Sequence, residues 1–169
     1  MDGKNAFNSA NKYIAMDQIL QHFPTLLPLV RQFYDDCANM WFCELSDGMR
    51  AIRSYQGFQQ GDPIGTWAYS MVIQPFIEKI QQIIGPSNFV NFFVDDGNIV
   101  ADTEKMIEAL TYIFQDGSKY GYNLKLNSGT YLMGKCGNLS LAEQKKKKLI
   151  DLGISENIIF IHLFLNIII

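Results

Sequence analysis

Cysteine, basic excess and long apolar runs are all scarce in this chain, and each scarcity removes a class of protein. The three cysteines, Cys37, Cys43 and Cys136, are odd in number and far apart. That pattern fits neither a disulfide framework nor the paired ligands of a zinc site, so reduced, buried thiols are expected. Lysine and arginine total 14 against 17 aspartates and glutamates, a formal charge of −3, which argues against a strongly basic nucleic-acid footprint. The most apolar stretch, residues 158–169, is interrupted by His162 and Asn166. It is shorter than the ~20 residues a membrane-spanning helix needs, so no membrane partner is expected. The tail reads as sequence outside the domain's pattern, with a buried strand as the alternative. No charged-then-apolar leader opens the chain, so secretion is not indicated and an intracellular protein is expected.

What is present is globular: 169 residues, 48% hydrophobic and 18% charged, enough for one domain with a core. The chemistry concentrates at Asn91-Phe92-Phe93-Val94-Asp95-Asp96-Gly97-Asn98-Ile99-Val100. Two adjacent carboxylates sit between β-prone apolar runs, and Asp-Gly suits a tight hairpin turn, so the spacing predicts a strand, an acidic tip and a return strand. Neighbouring carboxylates raise each other's pKa, a cost that bound cations remove. On this stretch alone an ordinary hairpin with an acidic turn is the favoured reading.

A second informative stretch is Gln56-Gly57-Phe58-Gln59-Gln60-Gly61-Asp62-Pro63-Ile64-Gly65. Glycines let backbone approach a ligand, and amide side chains both donate and accept, which suits a base or sugar edge. A loop capping the next helix accounts for the glycines and Pro63 but not for the glutamines.

Helical periodicity predicts a helix with Tyr13, Ile14, Ile19 and Leu20 inward, and another with Leu26, Leu29, Val30, Phe33 and Cys37 on one side. A hairpin is expected at residues 40–45 and 51–55 around Ser46-Asp47-Gly48. A helix over residues 64–84 carries Trp67, Met71, Ile80 and Ile84 inward and is kinked at Pro75. Asp102 or Thr103 starts a helix with Met106, Ile107, Leu110, Ile113 and Phe114 inward, ended by Gly117 or Gly121. Residues 122–126 and 130–133 read as two strands around Asn127-Ser128-Gly129. Ser140 and Glu143 have capping-box spacing for a last helix, and its four consecutive lysines read as a solvated face rather than a phosphate site. The plan is α+β, with helices on one face of an antiparallel sheet.

Together, Asp2-Gly3-Lys4-Asn5-Ala6-Phe7-Asn8, the loop at residues 57–65 and Phe92-Phe93-Val94-Asp95-Asp96-Gly97 resemble, in order, motifs A, B and C of the reverse transcriptase palm of retrotransposons. Residues 121–134 are similar to the fourth motif. The resemblance covers residues 1–135 and leaves 136–169 as a C-terminal helix and apolar tail with no recognisable thumb. It implies a ferredoxin-like polymerase palm and an RNA-directed DNA polymerase using two Mg²⁺ ions, or Mn²⁺, on dNTPs with a primer on an RNA or DNA template.

By that resemblance Asp2, Asp95 and Asp96 are the catalytic metal ligands, hard oxygen donors suited to Mg²⁺. Phe7 lies at the aromatic gate against a ribose 2′-hydroxyl, and Gln60 and Gly61 line the incoming nucleotide and template. Phe93 and Val94 lie beside the primer terminus. Lys125 is the nearest substitute for the fourth motif's lysine, which is absent. Thr66 stands where many relatives carry proline. Fingers and thumb are not recognisable, so a fragment inactive alone is expected.

Two other classes share the layout. A non-catalytic ferredoxin-like nucleic-acid or protein-binding module would not need the acidic tip and would carry basic and aromatic residues on its sheet. A palm-like nucleotide cyclase would lack the glutamine-glycine loop.

Overall fold

The computed structural model describes residues 3–35, 38–44, 48–125, 131–133, 139–156 and 159–161. Helix α1 (Ala6–Ser9) is a single turn entered through Asn5 in the left-handed conformation, φ 50° and ψ 37°, which asparagine tolerates. Helix α2 (Lys12–His22) starts at Asn11, whose side-chain oxygen accepts the Tyr13 N–H at 3.0 Å and so satisfies one donor of the helix start. A 3₁₀ turn at Pro24–Leu26 leads into α3 (Leu27–Tyr34). Strands β1 (Ala38–Glu44) and β2 (Gly48–Ser54) pair as an antiparallel hairpin, with Gly48 in the strand opposite Glu44. Helix α4 (Pro63–Ile84) is the longest and continues through Pro75.

Strands β3 (Phe89–Phe93) and β4 (Asp96–Val100) form a second antiparallel hairpin. Helix α5 (Thr103–Asp116) begins with the Asp102 carbonyl accepting the Met106 N–H at 2.8 Å. It tightens into a 3₁₀ turn at Gly117–Tyr120 closed by left-handed Gly121, φ 79°. Strand β5 (Tyr131–Met133), α6 (Leu139–Asp151) and β6 (Ile159–Ile161) complete the described chain.

The class is α+β, as expected. Among the described residues the strands pair two by two, with one further antiparallel bridge from Gly3 to Leu124, so the expected single antiparallel sheet is not seen among them. Leu124 bridges Gly3, and β5 pairs in parallel with β6, so, while residues 126–130 lie outside the described residues, the described residues of the expected hairpin at 122–126 and 130–133 have partners distant in sequence. The apolar tail supplies one of them, and Ile159 is buried, so here the buried-strand alternative holds. Residues 45–47, 127–130 and 162–169, with Cys37, Cys136 and Gly134, lie outside the described residues.

The chain divides into two compact units, one of Met1–Lys4, Lys79–Gln115 and Asn123–Ile169, the other of Asn5–Glu78 and Asp116–Tyr122. The first buries Ile80, Ile84, Leu110, Ile113, Leu149 and Ile154; the second buries Ile19, Val30, Tyr34, Phe58, Tyr69, Val72, Phe76 and Tyr122. Helix faces correct the reading of α2 and α3. Lys12, Ala15 and Ile19 face inward on α2, and Leu27, Val30 and Tyr34 on α3, whereas Tyr13, Leu20, Leu26, Leu29 and Phe33 are exposed. On α4, Ala68, Val72, Phe76 and Ile80 are fully buried, while Trp67 and Met71 are half-buried. Helix α6 begins at Leu139, so Ser140 lies inside it rather than capping it. Its Lys147 and Lys148 are exposed and Lys146 pairs with Glu156 at 2.7 Å, in keeping with a solvated face. No helix among the described residues is long and apolar enough to cross a membrane.

Candidate active site

The expected site residues fall into the two units, and each set is built separately. In the first, the register of β3 and β4 decides where the carboxylates stand. Phe93 pairs with Asp96 and Phe92 with Gly97, which leaves Val94 and Asp95 as a two-residue turn. The turn is therefore shifted by two residues from the expected Asp96-Gly97 pair. Asp95 lies in the turn and is half-buried, and Asp96 opens β4 and is exposed. Val94 has φ 58°, and Asp95 does not share that sign. A positive φ at the first turn residue alone is the sign pattern of a type II′ turn, which normally takes glycine there; a β-branched residue in this region is a backbone outlier.

Gly97 has a different use from the one its sequence suggested. A side chain there would meet the Phe92 ring at 2.6 Å, so the missing Cβ lets the aromatic lie across the hairpin's inward face. The outward face carries Phe89, Phe93 and Val100, with Phe93 78% exposed. Among the described residues no three His, Cys, Asp or Glu side chains gather. Asp2, the expected third ligand, lies outside the described residues, although the residue after it is held: Gly3 bridges Leu124, and the Lys4 N–H donates to the Asn123 carbonyl at 2.6 Å. Lys125 is exposed just beyond that bridge.

In the second unit, residues 7–11 are wedged between two glycines. The Phe58 N–H donates to the Phe7 carbonyl at 2.8 Å and the Gly57 N–H to the Ala10 carbonyl at 3.0 Å. Gly57 has φ 73°, and a Cβ on it would fall inside the backbone of Phe7 and Asn8. On the other side the Asn11 N–H donates to the Tyr120 carbonyl at 3.3 Å, and a Cβ on Gly121 would fall inside the Ser9 carbonyl. Both glycines combine positive φ with a close backbone approach, two conditions that only glycine meets together. Phe7 is 8% exposed, its ring stacked on Tyr69 of α4 at 4.7 Å and 20°.

Gln60 and Gly61 are exposed as the central pair of a turn closed by the Asp62 N–H donating to the Gln59 carbonyl at 3.4 Å. Gly61 has φ 86°, the third-position sign of a type II turn. Asp62 then caps α4: its Oδ1 accepts the Ile64 N–H at 3.0 Å, with Pro63 opening the helix, a pairing of cap and proline that helix starts favour. Thr66 donates both its N–H, at 2.9 Å, and its hydroxyl, at 3.1 Å, to the Asp62 carbonyl. A proline at that position has neither donor.

Tyr34 was given no chemistry by its sequence context. Its hydroxyl donates to Asp62 Oδ2, and its ring meets Phe58 edge-on at 5.0 Å. Burial, with the Asp62 hydrogen bond adding to it, pushes its pKa up to about 12. Its spacing from Leu27 and Val30 was the signal that it faces inward.

One unit thus carries an exposed amide-glycine turn at a helix N-terminus, and the other a hairpin tip with two carboxylates adjacent in sequence. Residues 1–136 match the reverse transcriptase (RNA-dependent DNA polymerase) family, and the chain belongs to it. No curated protein is found to be significantly similar to the chain.

Proposed function

We propose that this chain is the palm of an RNA-directed DNA polymerase of ferredoxin-like architecture, in which Asp95 and Asp96, with Asp2, hold two Mg²⁺ ions. The single observation that supports the reading is the hairpin tip: the register places Asp95 in a two-residue turn after the positive-φ Val94 and Asp96 at the start of the return strand. Both offer hard carboxylate oxygens, the donor type that suits a divalent cation such as Mg²⁺. When bound, such ions lower the pKa of the attacking hydroxyl and hold the triphosphate and leaving oxygens.

The chain's own residues then bind and orient. The turn at residues 59–62 offers the Gln60 amide and the open backbone of Gly61 to the incoming nucleotide and template; a Cβ at Gly61 would meet nothing within 4 Å, so its surroundings are open to a ligand. Phe7 is the gate: its stack on Tyr69 and its hydrogen-bonded carbonyl fix the rim of the ring, which excludes a ribose 2′-hydroxyl by contact. Phe93, exposed, and Val94 contact the primer end, and Lys125 serves the leaving pyrophosphate. The partners are a template with its primer and dNTPs.

Fingers and thumb are not recognisable within these 169 residues, so a cationic clamp for the triphosphate and a grip on the duplex come from other segments, and the 169 residues alone do not extend a primer. Primer extension on a homopolymer template with Mg²⁺ or Mn²⁺ tests this. A polymerase made by supplying fingers and thumb extends the primer, and Asp95→Ala with Asp96→Ala abolishes extension. Activity that survives the double substitution overturns the metal-ligand assignment. Extension by the 169 residues alone, abolished by the same pair, overturns the need for the other segments.

A further inference from the structure

We propose that Tyr34, which lies outside all four motifs, is the positioning residue of the 59–62 turn: it holds the turn in the one form that presents Gln60 and Gly61 outward. This rests on the reading of Gln60 and Gly61 as nucleotide contacts. Three observations carry it. First, the Tyr34 hydroxyl meets both ends of the turn. It donates to Asp62 Oδ2, and the Gln59 backbone hydrogen-bonds the same hydroxyl.

Second, the sequence makes room for that hydroxyl. A Cβ on Gly65 would stand 2.8 Å from Tyr34 Oη and 2.7 Å from the Gln59 carbonyl, closer than side-chain carbons approach such atoms. Gly65 lies inside a helix, where glycine is otherwise unfavourable, so its absence of a side chain has a use, and the use is this contact. Third, Asp62 is committed twice. One carboxylate oxygen caps α4 through Ile64 and the other accepts a hydrogen bond from the Tyr34 hydroxyl. The turn's exit is thereby fixed to the helix and its floor to α3. Gln60 and Gly61 themselves remain exposed, so the ordering comes from beneath and leaves the presenting surface clear. A turn held in its binding form before the ligand arrives does not lose affinity to the fraction of time spent in other forms.

The test uses the whole chain and the variant Tyr34→Phe, which keeps the ring on Phe58 and removes only the hydroxyl. Tyr13→Phe, at a tyrosine that is 78% exposed, is the matched control. Residue-resolved hydrogen exchange of the Gln59 and Ile64 amides is read beside the Gly61 scalar coupling, which reports φ, and beside the shifts of Gln60 and Gly61 on addition of dTTP with Mg²⁺. In Tyr34→Phe, exchange at Gln59 and Ile64 accelerates about tenfold, the scale of one hydrogen bond to a carboxylate, and the Gly61 coupling moves toward an averaged value. Half-saturation by dTTP rises several-fold while core amides such as Val72 keep their protection; the control changes none of these.

Unchanged exchange and coupling in Tyr34→Phe overturn the positioning role whatever the nucleotide does. A loosened turn with unchanged dTTP affinity overturns the link from turn to binding. Wild-type chain whose Gln60 and Gly61 do not respond to dTTP overturns the proposed function of those residues, and the exchange result still decides what holds the turn. Should Tyr34→Phe lower the protection of all core amides together, Asp62→Ser, which keeps a capping oxygen for the Ile64 N–H but has no second acceptor for Tyr34, removes the same contact from the other side: the Gly61 coupling must move toward an averaged value, and an unchanged coupling overturns the positioning role.

Discussion

Substituting alanine for Gly57 tests the wedge between residues 7–11 and the glycine-rich loop, because a second glycine a few residues on serves as its control. Gly57 and Gly61 both have positive φ, 73° and 86°. An added methyl group costs each about 1–2 kcal/mol of left-handed backbone strain, and each regains the same few tenths to 1 kcal/mol from the stiffer unfolded chain. The difference lies in the surroundings. At Gly61 the methyl meets nothing within 4 Å, whereas at Gly57 it enters the backbone of Phe7 and Asn8. Relieving that overlap separates the two segments and breaks the Phe58 to Phe7 and Gly57 to Ala10 hydrogen bonds, a further ~1–3 kcal/mol together. Gly57→Ala is thus less stable than Gly61→Ala by about 2 kcal/mol, which for a chain of this size is a gap of about 4–8 °C in Tm. Circular dichroism melts, checked by urea midpoints, measure it. Equal midpoints for the two variants refute the contact between the loop and the Phe7 segment.

Other expected outcomes concern single groups. Val94→Gly relieves a positive φ at a β-branched residue, so it is neutral or stabilising by up to about 1 kcal/mol; a urea midpoint lower than wild type by more than experimental error contradicts the II′-like turn. Tyr34 ionises near 12, above its ordinary 10.0, so the stability its proton contributes is complete below pH 10 and is lost as pH climbs toward 12. Absorbance titration shows a tyrosinate component near 12 that Tyr34→Phe removes, and its persistence in the variant contradicts the Asp62 contact. Phe7→Val, in a polymerase supplied with fingers and thumb, raises ribonucleotide incorporation relative to deoxyribonucleotide, and an unchanged ratio refutes the gate.

The parts of this protein legible in its sequence are those set by local chemistry. Apolar runs flanking Asp95 and Asp96 announce a hairpin, and Asp62-Pro63 announces a helix start, because turn and cap preferences act within a few residues. Helix faces were less legible. In α2, Tyr13 and Leu20 are spaced by seven just as Lys12 and Ile19 are, so periodicity alone fits two stripes about 100° apart; the stripe with a buried lysine is the one that packs. Register was also hidden. Asp-Gly favours the turn at residues 96–97, but packing of Phe92 over Gly97 outweighs turn preference and moves the tip to Val94 and Asp95. Pairing of β5 with β6 joins residues 28 apart in each matched pair, and no local signal encodes a partner at that distance. Tyr34 reads as one more core aromatic until its hydroxyl is seen between Gln59 and Asp62.

Paramagnetic broadening by Mn²⁺ on the amide spectrum of the whole chain tests the metal assignment most directly, since it needs neither template nor polymerisation. Sub-stoichiometric Mn²⁺ broadens the amides of Val94, Asp95, Asp96 and Gly97 first, Mg²⁺ in excess reverses the effect, and Asp95→Ala with Asp96→Ala removes it while the remaining spectrum is unchanged. Broadening that begins elsewhere, or that persists at the hairpin tip in the double variant, contradicts a metal site built on Asp95 and Asp96.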